Sequence, residues 1–142
     1  MDLNEFLQAF VDKSDSEKIQ YARETGNFLR KAFEGDEAKA IQFAAILTSI
    51  FAAADGKLHD HEAQMFGFCI NREVSYDDFF QLSQTVIGSK ELMSSFFEFV
   101  DSCEYEVRLV FASYGLAVLA ADNEITRDEL KMFLRFIPEL AK

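Results

Sequence analysis

Four carboxylates stand out by their spacing. Residues 52–66 read AAADGKLHDHEAQMF and residues 119–133 read LAADNEITRDELKMF, so a shift of 67 positions lays Asp55 on Asp122 and Glu62 on Glu129. The same shift matches Ala54 with Ala121, Leu58 with Ile125, Met65 with Met132 and Phe66 with Phe133. Each phrase closes an apolar helix and opens an amphipathic one. Gly56 and Asn123 are the residue types that best tolerate the left-handed conformation past a helix end. His59 and Thr126 take the cap position of the next helix, and Glu62 and Glu129 stand where a capping-box side chain reaches back to the cap amide. Local structure thus accounts for the glutamates. It does not account for Asp55 and Asp122, which sit at the negative end of a helix dipole, where an acid costs about 0.3–1 kcal/mol. Two explanations are open. Each aspartate accepts amide hydrogen bonds from the start of the following helix, or Asp and Glu of each turn offer oxygens to a hard cation such as calcium or magnesium.

Neither phrase is an EF-hand, because the glutamate comes at position 8 instead of 12 and the alternating oxygen ligands are missing. HEAQM at 61–65 begins like a zinc-protease helix but offers Met65 in place of the second histidine, so zinc hydrolysis is not expected. His59 and His61 are expected to face water. Phosphate-cradling glycine loops and nucleophile elbows are absent. Cys69 and Cys103 lie in apolar helical patterns with no neighbouring base, as expected of two reduced, buried thiols. A reaction run by paired carboxylates would need a cleft and a carboxyl with a raised pKa, and nothing in the sequence supplies either. The protein is therefore read as non-enzymatic.

The elements that must position these residues follow from periodicity. Leu3, Phe6, Leu7, Phe10 and Val11 mark one amphipathic helix, and Ile19, Ala22, Gly26, Leu29 and Phe33 a second, weakened near Gly26 and opened by a Ser14/Glu17 capping box. After Gly35 a helix from about Glu37 to Ala54 is apolar nearly all round and hence central. Others run from about Asp60 to Asn71, from the Ser75 cap signature to Gly88, through Leu92, Phe96, Phe97 and Val100, from about Tyr105 to Ala121, again apolar on most sides, and from Arg127 to about Leu140, where Pro138 kinks or ends it. The paired rings Phe79/Phe80 and Phe96/Phe97 lie about 100° apart on their helices, so one of each pair is expected to leave the core. No stretch alternates as a strand does, and the connections are short. The expected fold is all-α, one domain over residues 1–142, with seven or eight helices and two pseudo-symmetric helical hairpins in repeat units of about 36–87 and 103–142.

A formal charge of −11, with eleven acids against three bases between Ile41 and Val107, repels phosphate backbones and anionic lipid heads. Nucleic acid and direct membrane insertion are excluded as functions, while cations and basic proteins are natural partners. The apolar stretches of about 15 residues fall short of the ~20 a membrane span needs, and no signal peptide opens the chain, so a cytoplasmic location is expected.

The duplicated phrase A-D-[GN]-x-[LI]-x-x-x-E resembles the acidic signature of the TerB-like family, to which tellurite-resistance proteins and a domain of membrane-anchored DnaJ-type co-chaperones belong. The resemblance covers about residues 36–140, with Asn123 in place of a second glycine and His59 where Ser or Thr is usual. It implies an all-helical fold with a pseudo-two-fold axis and an acidic site of Asp55, Glu62, Asp122 and Glu129 that binds metal ions. It also implies a role in bacterial stress responses through docking onto other proteins, some of them membrane-associated. The competing expectation is an interaction scaffold in which the acids only cap helices and no metal binds.

Overall fold

A computed structural model describes residues 14–54, 60–119 and 127–138, with the side chains of 15, 53, 54, 119 and 127–129 outside the description. The expected helix over Leu3–Val11 lies outside these residues. Seven helices fill the described chain, with no strand among them: α1 (Asp15–Ala32), α2 (Glu37–Ala54), α3 (Asp60–Ile70), α4 (Tyr76–Ile87), α5 (Lys90–Ser102), α6 (Tyr105–Leu119) and α7 (Arg127–Phe136).

Short-range chemistry sets most of the ends. The Ser14 hydroxyl accepts from the Glu17 amide and the Glu17 carboxylate accepts from the Ser14 amide, the reciprocal box that the sequence indicates. Asp36 caps α2 through the Lys39 amide at 3.1 Å, after Gly35 has turned the chain at a φ of 89° that only glycine adopts without strain. Ser75 and Ser89 cap α4 and α5 in the same way. The end of α3 differs from expectation. Asn71 is not helical but adopts the left-handed conformation at φ 59°, which lets the Arg72 amide donate back to the Gly67 carbonyl at 3.0 Å and close a Schellman turn. Gly88, by contrast, ends α4 in right-handed helical geometry.

α2 packs against all six other described helices and α6 lies beside it, as their uniformly apolar surfaces require. Phe43, Ile46, Leu47, Phe51, Phe111 and Leu116 of this pair are buried, and each large side chain withdrawn from water contributes about 1.5–3 kcal/mol. The pair carries one buried polar link. The Thr48 hydroxyl donates to the Ala44 carbonyl at 2.8 Å, so its one proton is committed and the Tyr114 hydroxyl must donate to Thr48 across 2.6 Å. Next to it Gly115 brings the α6 backbone onto the Phe51 ring; a Cβ there would fall 2.3 Å from ring carbons.

Each central helix forms an antiparallel hairpin with the helix that follows. Glu37 at the start of α2 meets Arg72 just past α3 at 3.0 Å, and Arg108 near the start of α6 donates to the Phe136 carbonyl at the end of α7 at 3.0 Å. An arginine thus fastens the end of each hairpin where its first helix begins and its second ends.

One thiol departs from the expectation of two buried cysteines. Cys103 is half-buried, because α5 stops at Ser102 and leaves it as the C-cap residue instead of an interior one. Cys69 is fully buried in α3, and burial pushes its thiol up to about 12 against a partial opposition from Arg30. Below pH 9 the thiol is protonated in both folded and unfolded chains and contributes no pH dependence. Above pH 9 the unfolded chain gives up the proton first, so stability falls as pH rises from 9 toward 12, by at most about 1.4 kcal/mol per pH unit. Urea midpoints measured between pH 8 and 10 should show this decline, and Cys69→Ala should flatten it while lowering stability at every pH through the cavity it leaves.

Candidate functional site

Of the four carboxylates singled out by the repeat, the structure describes one completely. Glu62 lies in the first turn of α3, and its side chain is turned inward with Ala63, Met65 and Phe66, leaving it 3% exposed. The third position of a helix suits an acid, since the positive end of the dipole and the first free amides lie there. Such deep burial goes beyond what a surface capping box needs, and a buried carboxylate must be matched by donors or a cation. Glu129 holds the equivalent backbone position in the first turn of α7, with its side chain outside the described residues. Asp55 and Asp122 fall in 55–59 and 120–126, also outside them.

What the described residues do define is the frame around these turns. His61, one residue before Glu62, is partly buried and its Nε2 meets the Ala117 carbonyl at 3.2 Å. Ala117 belongs to the last turn of α6, where helix carbonyls lack intrahelical partners and accept from outside. The expectation that His61 faces water is thus corrected, and the reason is tertiary: the Ala117 carbonyl, on a helix 56 residues away, lies within reach of its ring. The contact fixes the entry of α3 beside the exit of α6. The first turn of α3 and the last turn of α6 therefore lie at one end of the bundle. α2 and α6 run side by side toward it.

The surroundings of that end are apolar. Phe51, Ala52, Ala63, Met65, Phe66, Ala117 and Val118 are all buried, so a charge placed there is poorly screened and interacts strongly with its neighbours. Among the described residues no three His, Cys, Asp or Glu side chains gather as around a metal ion, and three of the four candidate side chains are not among those described. A surface groove of about 930 Å³ among the described residues is elsewhere. It lies between α1, α3 and the start of α4, lined by Arg23, Gln64, Phe68, Arg72, Glu73 and Asp78, and reaches the end of α3 away from Glu62. Its mixture of charges does not form a set with the repeated acids.

Among the described residues no helix is long and apolar enough to cross a membrane. No protein-family model, no curated protein and no solved structure matches this chain.

Proposed function

We propose that this protein is a non-enzymatic binding module of the TerB-like kind, in which Asp55, Glu62, Asp122 and Glu129 form an acidic site for a divalent cation, calcium or magnesium ahead of zinc. The observation that supports the reading is the bond between His61 and the Ala117 carbonyl, which sets the start of α3, with Glu62, beside the last turn of α6, the helix that leads toward Asp122 in the sequence. Two Asp–Glu pairs approaching one another from matching hairpins would repel unless a cation lay between them, and oxygen-only ligand sets favour hard cations. In this reading a pseudo-two-fold axis between α2 and α6 relates the two hairpins, in keeping with the repeat of 67 positions in the sequence. In this reading the protein acts in the bacterial cytoplasm during stress and presents its acidic surface to a basic segment of a protein partner, including one held at a membrane.

Calorimetric titration of calcium, magnesium, manganese and zinc into the wild type and into Asp55→Asn/Asp122→Asn tests the cation. Calcium or magnesium should bind the wild type with measurable heat, and the double variant should bind at least about tenfold more weakly, the loss that ~1.4 kcal/mol of interaction represents. No heat, or equal heat from both proteins, would overturn the reading and leave the acids as helix caps; the double variant would then lose thermal stability without any change in ion binding.

A further inference from the structure

Two of the large apolar side chains that stay exposed, Phe80 at 41% and Ile87 at 40%, lie on the same helix, α4. Helical residues advance by about 100° each, so Tyr76, Phe80 and Ile87 fall within about 40° of one another. They form one stripe beside the buried Phe79, Ser83 and Val86, and it spans roughly 16 Å, the contact length of a three-turn helix laid alongside. The rings of Tyr76 and Phe80 stack with centroids 6.1 Å apart and planes 28° apart. Stacking orders both rings before anything binds, which removes part of the entropy cost of docking.

Charge selects the occupant. Exposed Asp77 stands three residues before Phe80 and hence next to it on the solvent side, exposed Asp78 follows, and exposed Glu91 opens α5 four residues beyond Ile87. Lys90 is the one base in the sequences of α4 and α5. Farther along α5, Asp101 is already neutralised by a bidentate pair with Arg135 at 2.9 and 3.2 Å. A second copy of this chain would bring the same acids against the rim at a net charge of −11, and anionic lipid would be repelled as well. We infer that the Tyr76–Phe80–Ile87 stripe docks an amphipathic helix of a protein partner, apolar on one face and flanked by lysine or arginine. The inference does not rest on the cation site, with which the stripe shares no residue.

A synthetic helix of roughly 18 residues, five turns, with leucine on one face and lysine on the others, serves as the probe, read by fluorescence anisotropy beside a version with glutamate for lysine. The lysine peptide should bind the wild type, the glutamate peptide should not, and Phe80→Ser/Ile87→Ser should weaken binding about tenfold or more. Because both residues are exposed, the variant should keep the wild-type melting temperature; Ile87→Lys alone is the second variant and should also weaken binding. Asp55→Asn/Asp122→Asn should bind the peptide as the wild type does, so failure of the cation site and failure of this surface are told apart. Equal peptide binding by wild type and Phe80→Ser/Ile87→Ser would overturn the proposal, leaving general charge attraction. So would sedimentation showing a wild-type dimer that the double variant loses, or binding to phosphatidylglycerol vesicles that depends on the same two residues.

Discussion

Replacing Phe43 by alanine should lower the unfolding free energy by about 3–5 kcal/mol. Phe43 is 2% exposed in the middle of α2, and its ring meets Phe33 edge-on at 4.9 Å, Phe96 edge-on at 5.5 Å and Phe99 at 5.5 Å. These three rings come from the end of α1 and from two turns of α5, so no single side chain can relax into the space that alanine leaves. The cavity term adds to the lost transfer term, and each neighbouring ring loses an edge-to-face or tilted contact. Against a total of about 5–15 kcal/mol for a domain of this kind the loss is a large fraction, and the melting temperature should fall by roughly 10 °C or more. Urea unfolding with an unchanged slope checks it. Phe80→Ala is the internal comparison. Its ring is exposed and stacked on Tyr76, and the cost should stay within about 0.5 kcal/mol. A Phe43→Ala loss below about 1 kcal/mol would mean that α1, α2 and α5 do not share this aromatic seam.

Gly26→Ala should destabilise by about 3 kcal/mol, and its sign is the informative part. In a helix interior exchanging glycine for alanine gains about 1 kcal/mol from propensity, and on that ground the substitution would stabilise α1. The packing says the opposite. A Cβ at Gly26 would stand 1.9 Å from the Cys69 carbonyl oxygen, and that oxygen is backbone, held in place by Arg30 Nη1 at 3.1 Å. Unlike a flexible side chain, the carbonyl cannot swing aside without separating α1 from α3. Arg30 also gives that carbonyl near the end of α3 a donor, so a shift there loses a charge-assisted hydrogen bond. A melting temperature that rises in Gly26→Ala would show that α1 and α3 do not cross at this residue.

These two residues also show what the sequence reveals and what it withholds. The apolar circumference of α2 and α6 marks them as central from sequence alone, because a helix without a polar face has to be surrounded. Ser14 with Glu17 and the Ser75 signature were legible for the reason that caps are made within four residues of chain. Gly26 is legible only as a weak point in a helix; that it is a crossing point depends on Cys69, 43 positions along the chain. Cys103 looked interior because the apolar period of α5 runs through it, whereas the helix ends one residue earlier. Phe79 and Phe80 divide as adjacent rings on a helix must, Phe79 buried and Phe80 exposed, whereas Phe97 does not leave the core: it is half-buried against Phe96 and Phe136.

The candidate site divides along the same line. The duplicated phrase marked four acids and their positions on the helices, since repetition and cap chemistry are local. Glu62 takes the third position of its helix as that reading requires, yet its burial comes from the way α3 rolls onto the core, which no local pattern encodes. His61 gave no sequence sign of its bond to Ala117, because the acceptor is a main-chain carbonyl of a distant helix. Convergence of the acids depends on the connections 55–59 and 120–126, which lie outside the described residues.

Paramagnetic broadening by manganese in an amide-correlated NMR spectrum tests the central claim most directly, since manganese substitutes for magnesium and calcium at oxygen sites. At substoichiometric manganese, amides of 54–62 and 120–129 should broaden together, in a single saturable event that excess calcium or magnesium reverses and Asp55→Asn/Asp122→Asn abolishes. Broadening spread over the exposed acids of α4 and α5 instead, or confined to one of the two connections, would contradict a shared four-carboxylate site.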